Sequence, residues 1–206
     1  MSVLLEIHHV NPEPRLIRQA AELLLDGGVI VYPTDSTYAL ACHIGNKDAL
    51  ERIRRLRQLS DRHNFTLMCA DLSEIANYAK VSNSAYRMLK ACTPGPYTFI
   101  LSATAEVPRR LMHPKRKTIG LRIPDHAVTR ALVDAVGSPI MSTSLILPGD
   151  EHPLSDIYEI QERVGRQVDM IIDSGACGLE PSTVIDLVSG VPEVVRVGRG
   201  DPAPFQ

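Results

Sequence analysis

Four hydroxyl side chains fall within five residues of this chain: Thr34, Ser36, Thr37 and Tyr38. They follow the apolar, β-branched run Val29-Ile30-Val31-Tyr32 and the proline that ends it, Pro33. A buried strand that delivers short polar groups to a loop is how an α/β protein builds the floor of a site. A similar pattern returns late in the chain. Met170-Ile171-Ile172-Asp173-Ser174-Gly175 is followed by Pro181-Ser182-Thr183-Val184-Ile185-Asp186. Neutral donors of this kind fix small carboxylates or phosphates. Taken singly, each stretch reads equally as a strand end with its turn. No Gly-x-x-x-x-Gly-Lys-Ser/Thr run is present, so an ordinary P-loop is excluded.

Charge adds a second signal. One basic run contains Arg52, Arg54, Arg55, Arg57 and Arg62, with Glu51 and Asp61 among them, and reads as a solvated helix face. The other, Arg109, Arg110, Lys115, Arg116 and Lys117, has no acid among its members and lies between Pro108 and the residues after Pro114, in a loop. Such a loop suits a polyphosphate tail or an RNA backbone. With aromatic content of 4% and no tryptophan, base stacking on single strands is disfavoured, whereas duplex RNA read by shape and phosphate is compatible. No DNA specificity is expected.

The 206 residues suit one domain, 1–206, with a sizeable core. Apolar content of 44% and a net charge of −2 indicate a soluble protein that is not uniformly basic. No run approaches bilayer-spanning length and the N-terminus lacks signal-peptide character, so the expected setting is cytoplasmic, without a membrane partner. Cys42, Cys69, Cys92 and Cys177 are widely spaced and read as free thiols, and no metal site is expected.

Strands and helices must position these groups. Leu16, Ile17, Ala20, Leu23 and Leu24 mark a helix stopped by Gly27-Gly28. Asn46, Asp71 and Ser82 or Ser84 look like N-caps of three further helices. Pro124-Asp125 opens a helix through Val136, and Leu154 to Val164 is another. Strands are expected at 3–9, 29–32, 38–42, 66–70, 98–102, 118–123, 139–142, 168–172, 183–188 and 194–197. The result is an α/β fold, one twisted, mixed but mostly parallel sheet with helices packed on it.

Five motifs in order resemble the YrdC-like family of threonylcarbamoyl-AMP synthases, and within it the YciO branch. They are Pro33-Thr34-Asp35-Ser36-Thr37-Tyr38-Ala39-Leu40, Pro94-Gly95-Pro96-Tyr97-Thr98, Gly120-Leu121-Arg122-Ile123-Pro124-Asp125-His126, Pro181-Ser182-Thr183-Val184-Ile185-Asp186 and Val195-Arg196-Val197-Gly198. The resemblance implies a YrdC/RibB-like sheet with a concave face, and ATP, L-threonine and bicarbonate as substrates. It also implies an adenylate product that serves tRNA threonylcarbamoyladenosine formation, Mg2+ entering with ATP, and binding of double-stranded RNA, tRNA or rRNA. By the same resemblance Ser36, Tyr38, Arg122, Ser142 and Ser182 face the threonine, and Arg57, Thr118, Ser144 and Arg196 face the nucleotide.

The chemistry needs no protein nucleophile. A carbamate attacks the α-phosphate, so positioning and charge neutralisation do the work. A guanidinium such as that of Arg122 can grip a carboxylate through two parallel bonds, although a salt bridge at a strand end is an equal reading. Two motifs depart from the synthase pattern, at three positions. Its Lys-x-Arg pair reads Arg57-Gln58-Leu59 here, and its Ser-x-Asn triplet reads Ser142-Thr143-Ser144. Losing one preorganised donor costs on the order of a hundred- to thousand-fold in rate. The sequence therefore predicts weak or altered synthase activity, with an RNA-binding protein of little catalysis as the alternative.

Overall fold

The computed structural model describes residues 2–60 and 63–206. Arg62 and Asp61 of the first basic run lie outside the described residues. All ten strands join one sheet in the order β1-β8-β2-β3-β7-β4-β6-β5-β9-β10. The strands are β1 (Val3–Glu6), β2 (Ile30–Tyr32), β3 (Ala39–His43), β4 (Thr66–Met68), β5 (Tyr97–Ser102), β6 (Thr118–Arg122), β7 (Ile140–Ser144), β8 (Met170–Asp173), β9 (Thr183–Asp186) and β10 (Glu193–Arg196). The helices are α1 (Pro14–Leu25), α2 (Lys47–Arg57), α3 (Leu72–Tyr78), α4 (Asn83–Cys92), α5 (Ala127–Val136) and α6 (Ile157–Val164).

The sheet is mixed, as expected, but it is not mostly parallel. Pairings β1–β8, β2–β8, β4–β6 and β5–β9 are parallel. Pairings β2–β3, β3–β7, β4–β7, β5–β6 and β9–β10 are antiparallel. Alternation of strands and helices along the chain suggested crossovers, but short links and inserted neighbours reverse the strand direction in the middle of the sheet.

The expected caps form. Asn46 Oδ1 accepts from Ala49 N at 2.8 Å, Asp71 Oδ1 from Glu74 N at 2.8 Å and Ser82 Oγ from Ala85 N at 3.2 Å. The helix expected to open at Pro124-Asp125 begins at Ala127, because the Asp125 amide is bonded to the Asp35 carboxylate at 3.0 Å. The helix expected from Leu154 begins at Ile157, where Asp156 caps it. All four cysteines are free.

The pleat sorts the strand residues into two faces. Val31, Leu40, Leu67, Phe99, Leu121, Met141, Ile171 and Ile185 enter one core, which α2, α3, α4 and α6 cover through Ile53, Ile75, Leu89 and Ile160. The opposite face is covered only in part. At one end α1 and α5 place Ile17, Leu24, Val128 and Leu132 over Ile30, Ala41, Met68, Ile140 and Met170. Beyond them the strands present Thr66, Thr98, Gly120, Ser142 and Ser144, with Ile100 and Val184 among them, and this stretch is left open. Among the described residues, no helix is long and apolar enough to cross a membrane.

Candidate functional site

The uncovered part of that face is a cavity of about 300 Å³. Register places its floor. Ser142, Thr66 and Gly120 are successive Cα partners across β7, β4 and β6, and Ala39 on β3 is opposite Ser144. Gly120 is in turn opposite Ile100, and Thr98 opposite Val184. Partners across a sheet point the same way, so hydroxyls of strands distant in sequence are gathered side by side. Gly120 is needed there. A Cβ on it would stand 2.9 Å from Thr66 Oγ1 and 3.0 Å from the Phe65 carbonyl oxygen.

Three guanidinium groups, those of Arg57, Arg122 and Arg196, line the cavity, and no aspartate or glutamate does so among the described residues. Arg57 leaves the end of α2, donating from Nε to Ile146 O at 2.7 Å and from Nη1 to Thr143 Oγ1 at 2.5 Å. Its partners are neutral, and burial pushes the group down to about 10. Arg196, on β10 at the rim, donates from Nε and Nη2 to the Ser182 carbonyl at 3.2 and 2.8 Å. Burial, and then the neighbouring Arg122 charge, lower it too. Among the described residues these two charges have no carboxylate partner in the wall, so the lining carries uncompensated positive charge.

Arg122 differs. It is 5% exposed, and its Nη2 donates both to the Asp35 carboxylate and, at 3.0 Å, to Ser36 Oγ. The salt-bridge reading of Arg122 and its place in the cavity wall therefore both hold. Its Nε is buried without a partner among the described residues. Ser36 reaches the site through this bond and through the turn that Thr34 closes. Thr34 Oγ1 donates to Thr37 O at 2.7 Å and accepts from the Ser36 and Thr37 amides at 3.1 and 3.2 Å.

Ser142, Ser144 and Ser182 lie in the lining with Arg57, Arg122 and Arg196. Thr118 is on the same face but beyond the lining, its hydroxyl buried and without a partner among the described residues. Tyr38 is a correction. It precedes Ala39 on the strand, so the pleat turns it to the opposite core, where its hydroxyl donates to Gly175 O at 2.7 Å. Leu59 packs against that same core. Of the neighbouring cations on α2, Arg54 lies over the Phe65 ring at 5.2 Å, and Arg55 is exposed.

The second basic run is only partly free. Arg110 donates to Ile44 O at 2.8 Å and Arg116 to Asp186 Oδ2 at 2.5 Å, an acid that adjacency in sequence could not show. Arg109, Lys115 and Lys117 remain exposed. The sequence reading missed His63, Asn64, Thr66, Thr98 and Thr143. Thr66 and Thr98 carried a usable signal, polar residues alternating with buried apolar ones in a strand. His63 carried none. Its Nε2 lies 3.2 Å from Thr143 Oγ1, and burial, with Arg57, Arg54 and Arg196, pushes it down to about 4.

The Sua5_yciO_yrdC family model, described as telomere recombination, matches residues 22–198. The uncharacterized protein YciO of Escherichia coli K12 is 57% identical over 205 residues, covering 100% of both chains. A threonylcarbamoyl-AMP synthase of Halorhodospira halophila is 32% identical over 173 residues, 84% of this chain and 90% of that one. Among solved structures, E. coli YciO superposes with a TM-score of 0.97 over 100% of both chains. Sua5 of P. abyssi complexed with L-threonine gives 0.88 at 25% identity, over 96% of this chain and 58% of the other. With most of its length matched by the family model and its fold shared with these relatives, the chain belongs to the Sua5/YciO/YrdC family.

Proposed function

We propose that the cavity binds ATP with L-threonine and bicarbonate and forms threonylcarbamoyl-AMP at a low rate. The observation that carries this reading is the convergence of Arg57, Arg122 and Arg196 with serine and threonine hydroxyls in a wall free of carboxylates among the described residues. Arg122, Ser36, Ser142 and Ser182 form the amino-acid side. Arg57, Arg196 and Ser144, with Thr118 behind them, form the nucleotide side. Their work is to hold two anions together and to offset charge as the carbamate attacks the α-phosphate. Mg2+ enters on the ATP phosphates, since the lining offers it no carboxylate. Leu59, packed into the core, and Ser144, with one donor where the synthase pattern has an amide, make the reaction slow. The adenylate would serve tRNA modification in the cytoplasm.

The test is incubation with ATP, Mg2+, L-threonine and bicarbonate, following pyrophosphate and the adenylate by chromatography, with Ser144→Asn and Leu59→Arg/Ser144→Asn in parallel. Product from the parent, increased in a variant, supports the proposal. No product from any of the three removes it.

A second reading is favoured by the three exposed cations Arg109, Lys115 and Lys117 on one loop. It is binding of duplex RNA through phosphate contacts. Replacing all three by alanine should weaken binding and reduce the salt slope by about two to three units. An unchanged slope would exclude the loop.

A further inference from the structure

Tyr32 does not line the cavity. It is 0% exposed and belongs to the apolar cluster beneath α1 and α5. Its hydroxyl lies 2.6 Å from Ser142 Oγ, and Ser142 does line the cavity. We infer that Tyr32 is a positioning residue that fixes the Ser142 hydroxyl as a hydrogen-bond donor toward an oxyanion in the cavity. This rests on the anion-binding reading above.

The argument is an inventory of protons. A phenol has one proton to donate, and a buried one without an acceptor costs free energy. Among the described residues, Ser142 Oγ is the hydrogen-bond partner of the Tyr32 hydroxyl. If Ser142 donated instead, the buried phenol proton would be left without an acceptor among the described residues. Tyr32 therefore donates and Ser142 accepts. The serine proton is then left for the open side, where the cavity is. Accepting a bond also polarises the serine O–H, making it the stronger donor. Burial keeps the phenol protonated, with Arg122 and Asp35 as the charged groups near it, so the arrangement persists throughout the neutral range. A serine without this neighbour rotates freely and serves as donor or acceptor alike. The tyrosine makes it one-sided, as a site for carboxylate or phosphate oxygen requires.

The experiment is titration calorimetry with L-threonine and, separately, with AMP, on the parent, Tyr32→Phe, Ser142→Ala and the double variant, each checked by thermal melting. Tyr32→Phe keeps the ring and removes only the proton. The expected result is a loss of about three- to tenfold in affinity for the ligand that Ser142 meets. Ser142→Ala should lose at least as much, and adding Tyr32→Phe to it should cost nothing further. Unchanged affinity for both ligands in Tyr32→Phe would overturn the inference, as would losses that simply add in the double variant. If the parent binds neither ligand, the anion-site reading falls and takes this inference with it. Should Tyr32→Phe melt out, Ser142→Ala still decides, because unaltered binding there removes any role for the pair.

Discussion

At the scale of single residues the cavity is a contest between charge and burial. Arg122 is held by Asp35 with both side chains under a tenth exposed. Asp35→Asn would leave the guanidinium buried without its counter-charge and remove an acceptor from the Asp125 amide. The expected cost is about 3–5 kcal/mol in urea unfolding, so a loss below 1 kcal/mol would show the pair to be well solvated. His63 makes a pH prediction. Its folded value, about 4, lies below the ordinary 6.5, so between these limits the unfolded chain holds a proton that the folded one lacks. The stabilisation from keeping His63 neutral is therefore full above about pH 6.5 and is lost as the pH falls toward 4. His63→Gln should remove about 2 kcal/mol of the stability lost on going from pH 7 to 4.5. Carboxylates such as Glu74, raised by burial, titrate in both proteins and cancel in the comparison.

At the scale of elements, α2 is the one that presents Arg57, and both its ends fit that task. Asn46 caps the start, and Asp48 in the first turn with Arg54, Arg55 and Arg57 in the last complements the helix dipole. The chain then leaves the helix through Gln58, at φ 51° and ψ 43°, in the left-handed region where glycine is preferred. Gln58→Gly should raise stability by about 0.5–1 kcal/mol if relief of the side-chain clash outweighs the extra freedom of the unfolded chain. Thermal melting reads the sign directly, and a lower midpoint would mean that glycine entropy dominates. By contrast, α5 already has Gly137 at φ 73° in the same role, with open space around it.

At the scale of the whole molecule, the sheet order puts the cavity over interior strands and at one edge. β3, β7, β4 and β6 are paired on both sides, whereas β10 pairs with β9 alone among the described residues and carries Val195 and Arg196, whose guanidinium turns into the cavity wall. Amide hydrogen exchange should be slowest in β3 and β7 and fast in β1 and β10. Adding ATP and L-threonine should slow β10 in particular if, as proposed, Arg196 brings that edge to the ligand. Exchange in β10 unaffected by ligand would remove Arg196 from the site.

Local patterns decided much of this. Asn46, Asp71 and Ser82 announce three helices because a short polar side chain before an apolar face has one structural use in each case, and the strands were visible as β-branched runs. The ordered motifs led to Ser142, Ser182, Arg57, Arg122 and Arg196, all of which line the cavity, and to Ser36, bonded to Arg122 beside it. What neighbouring residues in sequence cannot tell is the face on which a side chain emerges or the partner it meets. Tyr38 turned to the far core because strand pairing fixes the pleat. Asp186, 70 positions from Arg116, and Asp35, 87 from Arg122, became their counter-ions only through strand order. The sequence by itself determined the elements, the caps and the chemical types available to the site. The tertiary structure decided strand direction, which charges are neutralised and which hydroxyls are left to donate, because each of these depends on contacts between segments far apart in the chain.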